Sequence, residues 1–432
     1  MTKGFALALV AILCLAGQTP ADEVVSAEQT AADEFVPKPT PVENKPEGSN
    51  TEMDSSLLSE YEGPAVPMSV EDPVSAERWW FSTDYLLAWI RGSLLQPLVT
   101  TSPPGTPVTS AGVLGKKGTS TVLGNGDFNN DVRSGFKVGA GGWFDADRTL
   151  GVDLGFFVLE SQNTLFFASS NGNTILARPF FNTLKTAQDS QVVAFPGVAS
   201  GSIGASLRSN NLYSGHVDFQ EIFLNDSWFR LISIVGYRYL RFDERLLVFQ
   251  DVTSLGKGGI AAGTTIQTTD NFTVHNNLNA FDLGLRTEFL GERWSLDLLF
   301  KMAVGRLERE VTIAGQTLTT APGDTKPTGN PGGFLALESN SGRNSFGEWI
   351  VVPELGVNLG YNLTSRLRLH LGYDVLFWSN VARASDQVSL LINPNLFPPP
   401  KTSNLVPFTP QFSLVRSDMW VQAINLGLEF RY

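Results

Sequence analysis

The sequence predicts an all-β fold: a closed antiparallel transmembrane β-barrel of about 10 strands (10–12), with short periplasmic turns and long extracellular loops. Three observations predict it. Apolar residues recur at every second position in ten separate segments, the connections between them alternate between very short and very long, and the chain opens on a secretory signal.

The signal comes first along the chain. Lys3 precedes an apolar stretch from Phe5 to Leu15, and Thr19-Pro20-Ala21 precedes the acidic Asp22-Glu23, so residues 1–21 read as a signal peptide cut after Ala21. That stretch is too short to cross a bilayer, which takes about 20 residues, and no later run is longer; a helical membrane protein is excluded. Cys14, the only cysteine, lies inside the signal, and the bulky Leu13 before it argues against lipid attachment. The mature chain therefore has no thiol, which excludes disulfides, Cys-based metal sites and thiol nucleophiles.

Residues 22–77 carry 14 Asp and Glu against Lys38 and Lys45, with many Pro, Ser and Thr and no apolar period. They read as a disordered acidic, Pro-rich tail that holds the whole net charge of −12, leaving the remainder neutral. Charged residues are only 17% of the chain, against about 25% in soluble domains, while aromatics reach 11%.

From Arg78 to Tyr432 the period is two. Trp79, Phe81, Tyr85, Leu87 and Trp89 share one face, with Ser82 and Asp84 opposite; Phe136, Val138, Ala140 and Phe144 alternate with Lys137 and Gly139; Leu150 to Val158 alternate with Gly151, Asp153 and Gly155. Further segments run through Tyr213–Phe223, Phe229–Tyr239, Phe281–Phe289, Trp294–Val304, Trp349–Leu359, Leu367–Phe377 and Ile424–Tyr432. Pro353 lacks an amide N–H and predicts a bulge or a strand end. The connections at 146–148, 225–227, 291–293 and 362–365 are short; those at 91–134, 162–210, 245–275, 314–347 and 379–418 are long. Segments such as 161–169 and 202–207 could extend strands beyond the bilayer or add new ones. A soluble sandwich would also alternate, but it leaves the signal and the loop asymmetry unexplained. Lipid requires every backbone N–H and C=O to be paired, hence closure. Trp79, Trp89, Trp294, Trp349, Tyr361 and Phe377 fall near band ends, where aromatic girdles sit.

The polar faces bring charge of both signs into the expected lumen: Asp84, Lys137, Asp153, Arg238, Asp282, Arg286, Asp297, Lys301, Arg368 and Asp374, with Asp145, Asp218 and Arg230 beside them. Buried charges need partners, so these are expected to pair across a narrow, plugged interior. His216 and His370 face inward near Asp218 and Arg368, but no Gly-x-Ser-x-Gly, His-Glu-x-x-His or Ser/His/Asp spacing accompanies them, so neither catalysis nor a cofactor is expected. Asp127, Asn129 and Asp131 resemble the start of a calcium loop, yet Val132 stands where Gly is required and no Glu closes it; turn chemistry is expected and no metal. No phosphate loop or basic aromatic patch points to nucleic acid.

The terminal strand, with Asn425, Gly427, Phe430 and Tyr432, resembles the signal that outer-membrane barrels present to their assembly machinery. More broadly, WWFSTDYLLAWIRGSLLQPLVTTSP (79–103), GVLGKKGTSTVLGNG (112–126), RSGFKVGAGGWFDADRTLGVDLGFF (133–157), LARPFFN (176–182), VAFPGVASGS (193–202), GYRYLRFDE (236–244) and the long stretch 334–380 resemble the planctomycete-type outer-membrane β-barrel family, whose function is uncharacterised. The resemblance spans about 79–432 and implies an outer-membrane location and a barrel fold, with no catalytic residue to transfer. PLVTTSP, GVLG, ARPFFN and AFPGVASG are apolar for surface loops and are expected to fold inward or onto each other as a lid. The expected role is structural or surface-interacting, with a narrow passive channel for small solutes or ions as the alternative. Outer-membrane lipid and the assembly machinery are the expected partners, and the tail is expected in the periplasm.

Overall fold

The computed structural model describes residues 78–401, 403 and 405–432. The signal peptide of 1–21 and the acidic tail of 22–77 lie outside the described residues. Alternating side chains make extended backbone the only conformation that separates apolar from polar groups here, and ten long strands result. They are β1 (Trp79–Ile90), β2 (Arg133–Trp143), β3 (Leu150–Leu159), β4 (Leu212–Asn225), β5 (Phe229–Ser254), β6 (Thr265–Leu290), β7 (Trp294–Thr320), β8 (Gly342–Asn362), β9 (Leu367–Val381) and β10 (Ser417–Arg431). Each pairs antiparallel with its chain neighbour. β10 then pairs with β1 from Trp80↔Arg431 to Ile90↔Val421, which closes the cycle.

The sheet is larger than the sequence suggested. It holds thirteen strands, because Gln162–Ser170 and Ala199–Ser209 extend it beside the upper half of β5, and Thr328–Pro331 adds to β7. Much of the expected loops 245–275 and 314–347 is likewise strand, and β5 and β6 each run for 26 residues. The reason lies in which face is apolar. On β6 the outward positions Phe289, Leu285, Leu283 and Phe281 give way to Asn279, Asn277, His275 and Thr273, while the inward ones change from Arg286 and Asp282 to Ala280, Leu278, Val274 and Phe272. On β5 the exchange falls between Tyr239 and Arg241; on β7 it falls between Val304 and Arg306. These positions are register partners, Tyr239↔Asn279 and Asn279↔Arg306, so the change forms one line across the wall. Apolar residues counted on a single parity stop at that line although the strand continues.

Pro353 neither bulges nor ends β8. It pairs in register with Met302 of β7, while the ladder from β8 to β9 runs only from Asn362↔Arg368 to Glu354↔Leu376 and stops beside it. Proline's missing donor falls at that end of the β8–β9 ladder.

Two buried apolar clusters fill the upper interior. The lower draws on nine of the ten ring strands, with Leu86, Leu159, Leu212, Leu240, Phe242, Leu278, Leu307, Val352, Trp378 and Met419 among its members. The upper joins Leu246, Val248, Phe272, Val274, Val311 and Ile313 of the wall to Leu98, Val99, Leu176, Phe180, Val193 and Phe334–Leu337 of the connecting segments. Those segments build a small sheet of their own, with Leu176–Asn182 between Ala187–Ala194 and Val99–Thr101.

Three inward polar side chains hold the segments to the wall. Asp270 Oδ1 accepts the backbone N–H groups of Phe334, Leu335 and Ala336 at 2.8–2.9 Å, and its Oδ2 accepts Arg178 Nη2 at 2.8 Å. Glu244 takes Arg383 in two bonds of 2.8 Å, and Asn276 exchanges two with the backbone of Ala382. Arg178 and Asp270 are both fully buried. Removing one member of a buried pair strands the other and costs about 3–5 kcal/mol. Asp270→Ala is therefore expected to lower unfolding stability by that amount and to open 332–340 to protease. Equal stability in denaturant titration with unchanged protection would contradict the anchoring role.

Candidate functional site: a charged chamber at the turn end

Below the apolar layer, toward the short turns, the inward side chains line a chamber of about 580 Å³. Period-two strands place them: wherever the outward residue is apolar, its neighbour points inward and is polar. The inner faces of this half carry nine carboxylates, Asp84, Asp153, Asp218, Asp282, Glu288, Asp297, Glu354, Asp374 and Glu429, and seven cations, Lys137, Arg230, Arg238, Arg286, Lys301, Arg368 and Arg431. Acid exceeds base by two, and His216 and His370 stand among the acids.

Some pairs reach across the interior and others join side chains on neighbouring strands. Lys137 reaches Asp374 at 3.4 Å, Arg368 reaches Asp297 at 2.6 Å, and Arg238 binds Asp282 at 2.9 Å and also Glu354. Lys301 Nζ lies between Asp218 at 2.6 Å and Asp282 at 2.9 Å. Asp84 meets His370 at 2.5 Å, and Asp153 meets His216 at 3.2 Å while accepting the Trp80 indole N–H. Arg286 is the exception among the expected residues: no carboxylate lies within ion-pair distance of it among the described residues, although it lines the chamber beside Glu288 and Asp297.

Glu288, Glu354, Glu429, Arg431 and Gln220 were missed as lumen residues at the sequence level, and Asn425 was read only as part of the terminal signal. Each had the same signal as the residues identified, an even spacing from a polar neighbour opposite an apolar face; the broken period near Pro353 and the ends of the bands hid them. Asp145 is not in the lumen group. It caps the β2–β3 turn, accepting Thr149 N–H at 2.9 Å, Thr149 Oγ1 at 2.6 Å and Leu150 N–H at 2.8 Å. Asn129 serves structure, donating to the Leu207 carbonyl and accepting from Thr164. His275 faces outward against Asp243 at 3.1 Å.

Residues 80–432 match the family model described as "Putative beta barrel porin-7 (BBP7)". Among solved structures, the chain is similar to the outer-membrane protease OmpT of Escherichia coli, at 11% identity and TM-score 0.36 over 82% of this chain and 97% of that one. It is also similar to a Pseudomonas aeruginosa FadL homologue, at 9% identity and TM-score 0.22 over 82% and 90%. An anion-selective porin from Comamonas acidovorans aligns at 12% identity and TM-score 0.14, over 82% and 98%. No curated protein matches the chain.

The turn supplies a pH test. The hydrogen bond from the Thr149 hydroxyl, with the backbone N–H groups of Leu150 and Thr149, lowers the Asp145 carboxyl to about 2. A folded-state value below the unfolded one, about 3.9 for Asp, means that the turn is stabilised above pH 4 and loses that contribution as pH falls through 2. NMR titration of the Asp145 carboxyl should give a midpoint near 2, and Thr149→Val should raise it toward the ordinary value. An unchanged midpoint in the variant would remove the hydroxyl as the cause.

Proposed function

We propose, on the premise that this chain belongs to the porin-7 family of outer-membrane β-barrels, that it is an integral barrel whose lumen is closed and whose role is structural or surface-interacting rather than catalytic. One observation carries the reading: the apolar cluster spans the ring, with Phe242 and Trp378 fully buried within it. A hydrophobic constriction without room for water stops ions by dewetting even where polar chambers lie beside it. The charge pairs below and the connecting segments above would then both flank a seal.

The apolar outer band supports the membrane placement. Phe281–Phe289 and Trp294–Val304 match the 9–11 residues that a tilted strand needs to cross hydrocarbon. Trp228, Phe229 and Phe289 cluster at the turn end, as Trp294 and Tyr361 do at 4.7 Å, in the place of an interfacial girdle. Outer-membrane lipid is then the partner of the band. Phe430 of β10 and Tyr432 just beyond it are exposed while Asn425 and Gly427 face inward, an arrangement that the barrel-assembly machinery would read. β1 starts at the short-turn end, so the acidic tail of 22–77 would hang in the periplasm.

The narrow channel for small solutes or ions is the second reading, favoured by the water-accessible chamber at the turn end. Planar-bilayer recording separates the two. Refolded protein should show no stable conducting steps, and Phe242→Ala with Trp378→Ala should introduce them; steps from the unaltered protein would establish the channel instead. The membrane placement has its own test. Leu298→Arg puts a charge in mid-band and should cost about 2–4 kcal/mol in lipid vesicles. Gln267→Arg, on the same outer face opposite Asp251 but beyond the band, should cost almost nothing. Equal costs would place the band outside hydrocarbon.

A further inference from the structure

We propose that the chamber contains a divalent metal site, fitted to zinc and built by Asp153, His216 and Asp218, with the Gln220 amide oxygen as a fourth donor. Asp153 of β3 and Asp218 of β4 are direct cross-strand partners. Two carboxylates placed opposite one another repel unless a cation lies between them. His216 Nε2 is 3.2 Å from Asp153 Oδ2 and 3.7 Å from Asp218 Oδ2, and all three ligand atoms lie within 4.8 Å of one another. Bonds of about 2.1 Å to a tetrahedral zinc set donor atoms roughly 3.4 Å apart, so these spacings need little adjustment.

Observations outside the triad point to the same ligand. Gln220 is 3% exposed, lines the chamber with Asp153 and His216, and among the described residues neither its amide oxygen nor its nitrogen has a hydrogen-bond partner. Asp218 is 2% exposed and its Oδ1 is also without one. Lys301 holds Asp218 Oδ2, but it also holds Asp282, so it retains a partner when Asp218 turns an oxygen to a metal. Glycines make room for the donors. A Cβ at Gly155 would meet the His216 ring at 2.2 Å, and one at Gly236 would meet Asp218 Oδ1 at 2.1 Å. The Trp80 indole N–H on Asp153 Oδ1 fixes the carboxylate, as an outer hydrogen bond does around metal ligands. A dication also cancels the excess of two carboxylates in this half of the lumen.

A donor set of one imidazole nitrogen and harder oxygens suits zinc. The site opens on the chamber whether or not the apolar layer is sealed, so its failure and the failure of the closed-lumen reading are separate results. The test is zinc uptake by metal-stripped, refolded protein, measured by equilibrium dialysis with elemental analysis, with cobalt as a spectroscopic probe. The expected result is one zinc per folded chain and a visible tetrahedral cobalt band. Affinity should be at least tenfold weaker in Asp153→Asn and His216→Ala, and several-fold weaker in Gln220→Leu, which leaves every ion pair in place. Folding of each variant is checked by circular dichroism and heat-modifiable gel migration. Folded wild-type protein that takes up no zinc, or a folded His216→Ala that takes it up as tightly, overturns the assignment.

Discussion

A strand that passes from hydrocarbon into water must exchange the polarity of its two faces, and the rest of this structure depends on that constraint. Within the band the outward residues meet lipid and must be apolar, so polar groups can go only inward. Beyond Asn279 and Arg306 the outside is water; the outward residues become Asn277, His275, Glu308 and Glu310, and the apolar ones turn in. The interior is therefore charged below and greasy above because the surroundings of the wall change at that line. Charge network and apolar layer are two consequences of one exchange.

The greasy upper interior then requires a filling. An inward apolar wall open to water would cost roughly 25 cal/mol for each Å² left exposed, and the connecting segments cover it with Leu98, Val99, Phe180 and Phe334–Leu337. Hydrophobic contact alone does not define which segment lies where. Asp270, Glu244 and Asn276 interrupt the apolar inner faces of β5 and β6, and each meets one backbone turn with matched hydrogen bonds. A buried carboxylate without its own turn is costly, so these three residues exclude alternative seatings as well as stabilise the observed one.

The band segments were legible in the sequence because lipid forces a strict period of two, and four of the ring's ten neighbour pairings follow from short turns such as Ala146-Asp147-Arg148. The upper halves of β5, β6 and β7 were not, because Leu240, Phe242, Leu278 and Leu307 have the opposite parity to the apolar residues below them. A reading that follows apolar residues on one parity meets a break where the strand has none. In the chamber, the parity of Asp84, Lys137 and Arg368 was readable, but their partners were not. Lys137 meets Asp374 across the interior, and a distance of 237 residues in sequence carries no local signal. Asp270 fell in a stretch read as a long connection, and nothing near it in sequence indicates that it binds Arg178 and the turn at Phe334.

Why the lower interior is charged rather than apolar follows from register. Were both faces apolar within the band, slipping one residue would exchange them at no cost, and the pairing of ten strands would be poorly specified. Nine carboxylates and seven cations make that slip prohibitive, since it would turn charges such as Asp282 and Lys301 into lipid. Their desolvation is offset by pairing, but pairing is incomplete: Arg286 has no carboxylate at ion-pair distance among the described residues, and the carboxylates outnumber the cations by two. A network that specifies the wall so strongly need not be internally neutral, and where it is not, water or a cation must supply the difference. The chamber that holds this network lies on the turn side of the buried apolar layer.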